Sequence, residues 1–111
     1  MLKPVVEGWT EPIVHRLLND KVPVLIQGMD VALILIGHDG TAVDTTGKVA
    51  NEDDGTEPNR GRVAYRPDAG DLVAAKSMYS VRWRVTDGDG KNAFWPNDDF
   101  EKLKVSKPGW A

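Results

Sequence analysis

Residues 78–105 read MYSVRWRVTDGDGKNAFWPNDDFEKLKV, and this stretch decides the fold. Apolar and polar side chains alternate from Tyr79 onward, and a strand places successive side chains on opposite faces. A half-buried antiparallel strand is therefore predicted over 78–86, with Trp83 on its buried face. Residues 87–90, DGDG, predict a hairpin turn because Asp-Gly is a strong hairpin signal. The return strand of this hairpin is predicted over 92–95.

The rest of the chain is divided into short segments by proline and glycine, which leaves no room for a long amphipathic helix. Residues 31–36, VALILI, are apolar throughout, which is typical of a central strand covered on both faces. Residues 68–75 are predicted to form one helical turn with Asp68 as its N-cap. Further strands or short extended segments are predicted at 13–18, 23–27, 42–45, 48–51, 62–66 and 100–105. About seven or eight short strands with frequent turns predict an all-β fold, an antiparallel β-sandwich.

Length and composition set the limits of the molecule. A chain of 111 residues has the length of one domain, so we predict a single domain over 1–111 with arms at 1–11 and 106–111. The net charge of −3 argues against direct nucleic-acid binding, which needs a basic surface. There is no cysteine, which excludes disulfides and thiolate ligands. The longest apolar run, 31–36, is far shorter than the roughly 20 residues of a membrane span, so no membrane partner is expected.

Signals for catalysis or metal binding are weak. The segment from Asp87 resembles the start of an EF-hand loop, but Lys91, Asn92 and Asp98 stand where that loop needs an acidic or amide ligand, Gly and Glu. A turn is therefore the better interpretation. The two histidines, His15 and His38, have no third ligand at zinc-site spacing. We expect no catalytic residue, no metal, no cofactor and no enzyme activity.

Three tryptophans outside the predicted core strand are candidate partner contacts. Interfaces are enriched in Trp, and Trp9 and Trp110 lie near the termini, where an aromatic side chain can anchor an arm on a partner. Trp95 follows Phe94, so the two rings point to opposite faces of their strand. Core packing and partner contact are equally compatible with Trp9, Trp95 and Trp110.

The polar segment 52–60, EDDGTEPNR, is predicted to be an exposed loop. Within it, Asp53, Asp54 and Arg60 are candidate partner contacts. Arg82 and Arg84 project from the polar face of the hairpin and allow two interpretations: a solvated face or a docking face for an acidic partner.

Several motifs, in this order, resemble the small immunoglobulin-like domains of tailed-bacteriophage virion proteins. They are GWTEP at 8–12, PV at 23–24 with Gly28, GRVAY at 61–65, MYSVRWRVT at 78–86, DGK at 89–91, FWPND at 94–98 and FEKLKV at 100–105. The most specific is the aromatic-Pro-Asn-Asp corner that follows a Trp-bearing strand and a short hairpin. The chain departs from the family pattern at 25–27, LIQ, where Asp-Leu-Thr is usual, and at Asp99, where Gly is common.

The resemblance implies an immunoglobulin-like or jelly-roll-like sandwich and a non-enzymatic structural role in a phage virion. Family members include N-terminal domains of baseplate upper proteins and free-standing head or tail proteins. Because this chain ends directly after the sandwich, the first expectation is a capsid decoration protein. It would be made in the host cytoplasm and bind the major capsid protein on the capsid exterior, as a dimer or trimer at a symmetry axis. A tail or baseplate adaptor and a carbohydrate-binding module are the alternatives.

Overall fold

The computed structural model describes residues 2–96 and 100–109, and within them the chain is all-β, as predicted. Two short 3-10 turns, Glu57–Asn59 and Ala74–Lys76, are the helical segments of this part of the chain. The strands are β1 (Val5–Val6), β2 (Ile13–Arg16), β3 (Leu18–Asn19), β4 (Val22–Pro23), β5 (Asp30–Ile36), β6 (Val49–Asn51), β7 (Arg62–Tyr65), β8 (Tyr79–Thr86), β9 (Asn92–Trp95), β10 (Glu101–Leu103) and β11 (Val105–Ser106).

Strand β8 is the centre of the first sheet. One of its edges pairs with β5 in antiparallel register, from Asp30 opposite Thr86 to Ile36 opposite Ser80. Its other edge pairs with both β9 and β10, which therefore lie end to end along it. The predicted hairpin of β8 and β9 is confirmed. Trp83 is 1% exposed, so its assignment to the core is confirmed as well.

The second sheet has the order β2-β7-β6, and all its pairings are antiparallel. Side chains of both sheets form one hydrophobic core, in which burying each large aliphatic or aromatic group contributes about 1.5–3 kcal/mol. The side chains less than 2% exposed include Leu17, Ile26, Leu35, Val63, Tyr65, Leu72, Tyr79, Trp83, Leu103 and Val105.

Strands β1 and β11 pair in parallel, with Val5 opposite Val105. This pair is an exception to the antiparallel pattern that the sequence predicts. It also makes residues 5–6 of the predicted N-terminal arm part of the sandwich, because the Val5 side chain is 7% exposed and belongs to the core.

Two local predictions are wrong. Strand β5 is not covered on both faces: Leu33 and Leu35 are buried, whereas Ile34 lies on the outer face opposite Arg82 and is half-buried. Residues 68–75 do not form a helical turn with Asp68 as its N-cap: the 3-10 turn begins only at Ala74, with Val73 at its N-cap position. The Asp71 carboxylate instead points inward. It accepts hydrogen bonds from Lys48 Nζ at 2.8 Å and from the Tyr65 hydroxyl at 2.9 Å.

Across residues 2–96 and 100–109, no helix is long and apolar enough to cross a membrane.

Candidate interaction surfaces

The loop at 52–60 is organised around Asp53, and the prediction that the whole loop is exposed is wrong at this residue. Asp53 is 6% exposed. Its Oδ2 accepts hydrogen bonds from the backbone N–H groups of Ile26 at 2.8 Å and Gly61 at 3.0 Å, and its Oδ1 accepts one from Gly55 at 2.9 Å. Both carboxylate oxygens are thus occupied by the protein's own backbone. Asp53 ties the loop to the chain before β5 and is not presented to a partner.

The protonation of Asp53 reflects two opposed effects. Burial by itself would raise the pKa of the carboxyl group, since it disfavours the charged form. The hydrogen bonds from Gly61, Ile26 and Gly55 and the positive charge of Arg60 outweigh burial and hold the pKa below its ordinary value. Asp53 is therefore a carboxylate at neutral pH, which is the form that can accept all three backbone hydrogen bonds.

The other two loop candidates also serve the loop itself. Asp54 is exposed, but its Oδ1 accepts a hydrogen bond from the Thr56 backbone N–H at 3.0 Å and its Oδ2 accepts one from Asn59 Nδ2 at 3.0 Å. Hydrogen bonds from Thr56 and Asn59 lower the pKa of Asp54. Arg60 is half-buried, and its charge acts on Asp53. The loop is therefore internally ordered, with Asp54 and Glu57 as its exposed acidic residues.

Trp9 lies half-buried at one side of the sandwich and packs against the core. Its indole Nε1 is buried without a hydrogen-bond partner among the described residues. A groove of about 250 Å³ runs between residues 2–5 and β2, with Trp9 and Val14 in its lining. Val14 is 45% exposed, and Val6, three residues before Trp9, is 42% exposed. We call Val6, Trp9, Pro12 and Val14 the Trp9 surface.

Trp95 lies on the same face of the first sheet as Trp83, its cross-strand neighbour, and packs against the core from the edge. It lines two open grooves. One, of about 570 Å³, separates β9 from Leu18 and the β3–β4 hairpin, and the other, of about 230 Å³, includes Leu25. We call Leu18, Leu25, Ala93 and Trp95 the Trp95 surface. The third candidate, Trp110, lies outside the described residues.

The exposed aliphatic residues beside the tryptophans are the part of these surfaces that sequence reasoning missed. In the described part of the chain, the large apolar side chains classed as exposed are Val6, Val14, Leu18, Val22 and Leu25. All of them except Val22 belong to the Trp9 surface or the Trp95 surface. The sequence held a signal for the exposure of Leu18, Val22 and Leu25. Asn19-Asp20-Lys21 is a turn between apolar residues, and a hairpin of two-residue strands is too short to bury its side chains.

The polar face of the first sheet differs from a simple row of solvated charges. The Arg82 guanidinium lies over the Phe94 ring at 4.6 Å and the Phe100 ring at 5.6 Å, and its Nε donates a hydrogen bond to the Pro96 carbonyl at 2.8 Å. Arg82 thereby holds the corner after β9 against β8. Arg84 is exposed on the same face.

The polar residues considered for metal binding have structural roles. Asp87 Oδ1 accepts hydrogen bonds from the backbone N–H groups of Asp89 at 2.9 Å and Lys91 at 3.0 Å, as in an ordinary hairpin turn. His15 stacks on Trp83 with ring centroids 6.2 Å apart, and burial lowers the pKa of its imidazole. No group of three or more His, Asp or Glu side chains within residues 2–96 and 100–109 is placed to hold a metal ion.

Comparison with known proteins finds no matching family model, no similar curated protein and no similar solved structure.

Proposed function

We propose that the chain is a non-enzymatic structural protein of a tailed-phage virion, a capsid decoration protein that binds the major capsid protein on the outside of the head. The observation that carries the proposal is the gathering of Val6, Val14, Leu18 and Leu25, four of the five exposed large apolar side chains among the described residues, at the Trp9 and Trp95 surfaces. Contiguous exposed apolar side chains mark interaction sites, and here they stand on a rigid sandwich. The motifs shared with virion sandwich domains, the FWPND corner above all, supply the class of partner.

The Trp95 surface is the proposed capsid contact. Leu18 and Leu25 are 46% and 52% exposed, and burying each against a partner contributes up to about 1.5–3 kcal/mol. A decoration protein seated across the joint of two capsid subunits would add this energy at every joint. The head would then resist the internal pressure of packaged DNA more strongly.

The test uses heads from a phage in which this gene is deleted. Added wild-type protein is expected to co-sediment with the heads and to raise the temperature at which they release DNA. The double variant Leu18→Ser, Leu25→Ser is expected to lose both effects. Val14→Ser is the matched control, since it removes an equally exposed apolar side chain from the other surface.

Three results would contradict the proposal. Wild-type protein that neither binds the heads nor changes their heat resistance would exclude a decoration role. Immunogold label on separated tails instead of heads would replace it by a tail or baseplate adaptor. Binding of the purified chain in a glycan array, abolished by Trp95→Ala, would instead support a carbohydrate-binding module.

A further inference from the structure

Two strand edges face each other across one of the grooves beside Trp95. An edge strand presents unpaired N–H and C=O groups that can bond a further strand. Among the described strands, β9 pairs with β8 alone and β3 pairs with β4 alone, so each keeps one open edge. Residues 92–96 form one wall of the groove of about 570 Å³, and residues 18–20 form the other. We call it the β3–β9 groove.

The β9 wall offers the backbone groups of Asn92 and Phe94. The Asp87 N–H donates to the Lys91 carbonyl at 3.0 Å, which makes these two residues a hydrogen-bonded pair. Bonded and non-bonded pairs alternate along an antiparallel ladder, so the register of β8 with β9 makes Asn92 and Phe94 members of non-bonded pairs. Both therefore point their N–H and C=O groups away from β8. No hydrogen bond within residues 2–96 and 100–109 occupies these groups.

The β3 wall offers the backbone groups of Leu18. The preceding residue, Leu17, donates its N–H to the Gly61 carbonyl at 2.8 Å and accepts from the Val24 N–H at 3.0 Å, so both its groups point away from the groove. Successive residues of a strand direct their backbone groups to opposite sides, so those of Leu18 point toward the groove that it lines. Its partner in the register, Pro23, has no N–H to donate. Neither Leu18 group is bonded within the described part of the chain.

We propose that the β3–β9 groove takes one extended segment of a partner protein, which adds to β9 as a further strand of the first sheet. Because unpaired groups line both walls, a single strand can bond β9 with one edge and Leu18 with the other. Side chains on its inner face would pack beside Ala93 and Trp95, so apolar residues are expected at every second position. The segment is taken to belong to the major capsid protein, and to that extent its identity rests on the proposed function.

Other grooves beside strand edges are less suited to such a segment. In the groove between β5 and β6, the β5 side is already bonded: Thr45 Oγ1 donates to the Leu33 carbonyl at 2.8 Å, and Asn51 Nδ2 donates to the Met29 carbonyl at 2.9 Å. In the groove beside β2, the opposite wall is the segment 2–5, whose first and last N–H groups bond to the carbonyls of β10 and of the residue after it. Only the β3–β9 groove, among these three, has unpaired backbone groups shown on both walls.

The first test follows hydrogen exchange of the full chain, free and bound to heads from the deletion phage, resolved to single amides. The Leu18, Asn92 and Phe94 amides are expected to become protected on binding, whereas the Ala93 amide, which points to β8, is protected in both states. Head binding that leaves the three amides unprotected would overturn strand addition and leave the decoration role standing. Heads that do not bind the chain at all would overturn both.

The second test removes one outward N–H. Phe94→Pro deletes it without touching the bonds between β8 and β9, since proline is tolerated on an edge strand where the N–H faces outward. The control Phe94→Val keeps the N–H, and both variants lose the ring that lies under Arg82.

Phe94→Pro is expected to bind heads about tenfold more weakly than wild type or worse, and Phe94→Val within about threefold of wild type. Urea unfolding of both variants checks that the fold is kept. If Phe94→Pro does not fold, Asn92→Pro against Asn92→Ala makes the same comparison at the other outward N–H of β9. Equal head binding by the proline variant and its control would overturn strand addition.

Discussion

The loop at 52–60 and the segment 18–25 each contain residues whose burial is the opposite of what their polarity predicts. The loop is the most polar stretch of the chain, yet Asp53 within it is 6% exposed. Segment 18–25 is largely apolar, yet Leu18, Val22 and Leu25 are the most exposed large apolar side chains of the described residues. Asp53 is an internal support of the polar loop, whereas the apolar segment keeps three large side chains exposed.

The difference comes from the backbone. A turn that runs against the sandwich leaves N–H groups that must find acceptors, and an unpaired buried N–H costs about 1–3 kcal/mol. Asp53 supplies acceptors to three of them, at Ile26, Gly55 and Gly61. The β3–β4 hairpin bonds its two strands to each other, leaves its outer edge to water and has strands of two residues, too short to bury a face. The need of backbone N–H groups for acceptors, more than side-chain polarity, therefore decides that Asp53 is buried.

The largest expected effect is the loss of the Asp53 carboxylate. Asp53→Ala leaves three backbone donors without their acceptor and is expected to lower the free energy of unfolding by about 3 kcal/mol, measured by urea denaturation. Asp54→Ala is the control, because its hydrogen bonds are exposed to water, and its loss should be clearly smaller. Equal losses for the two variants would mean that the loop is not organised around Asp53.

Gly61→Ala tests the close approach of the loop's end to β2 and the hairpin. Gly61 has φ +75°, and a Cβ there would lie 2.7 Å from the Leu17 carbonyl oxygen and 3.0 Å from that of Val24. The expected loss is about 2–3 kcal/mol, from backbone strain and the clash together. Gly47→Ala has φ +76° but open space, so it should cost about 1 kcal/mol from the conformation alone. A cost for Gly61→Ala no greater than for Gly47→Ala would show that the clash is relieved.

The acid dependence of stability distinguishes the charge of Asp53 from its shape. The folded-state pKa of Asp53 lies below its ordinary value, so the stabilisation is fully present above the unfolded value of 3.8 and is lost as the pH falls through the folded-state pKa. Asp53→Asn should therefore lose less stability than wild type as the pH falls below 3.8. The measurement is the urea midpoint of unfolding at a series of pH values. Leu25→Ser should keep the wild-type slope. An unchanged slope in Asp53→Asn would assign the sensitivity to other carboxylates, such as Asp71.

The smallest expected effect is on the exposed apolar segment. Leu18→Ser and Leu25→Ser should each change the free energy of unfolding by no more than about 0.5 kcal/mol, because the side chains are already largely in water. Leu33→Ser, at a side chain 6% exposed, should cost several times more. A large loss in Leu25→Ser would show that the Trp95 surface is part of the core.

The predictions that were correct only in part show which structural features a local sequence pattern can predict. The alternation of residues 79–86 identified Trp83 as a core residue, and the Asp-Gly sequence at 87–90 identified the hairpin turn. Both predictions are correct because each depends only on neighbouring residues. The apolar run 31–36 was correctly interpreted as a strand. Whether both of its faces are buried depends on what packs over the sheet, and Ile34 lies on the outer face. Trp9 and Trp95 were left between core and contact, and the structure shows each half-buried against the core beside exposed aliphatic residues.

By itself the sequence determined that this protein is an all-β sandwich with a Trp-bearing central hairpin, since a period of two and turn residues act over short stretches of chain. Only the tertiary structure decided which residues are available to a partner. Asp53 meets the Ile26 amide across 27 positions of sequence, and Trp95 meets Leu18 and Leu25 across a groove. Exposure and backbone pairing depend on such distant segments, and composition near a residue does not report them.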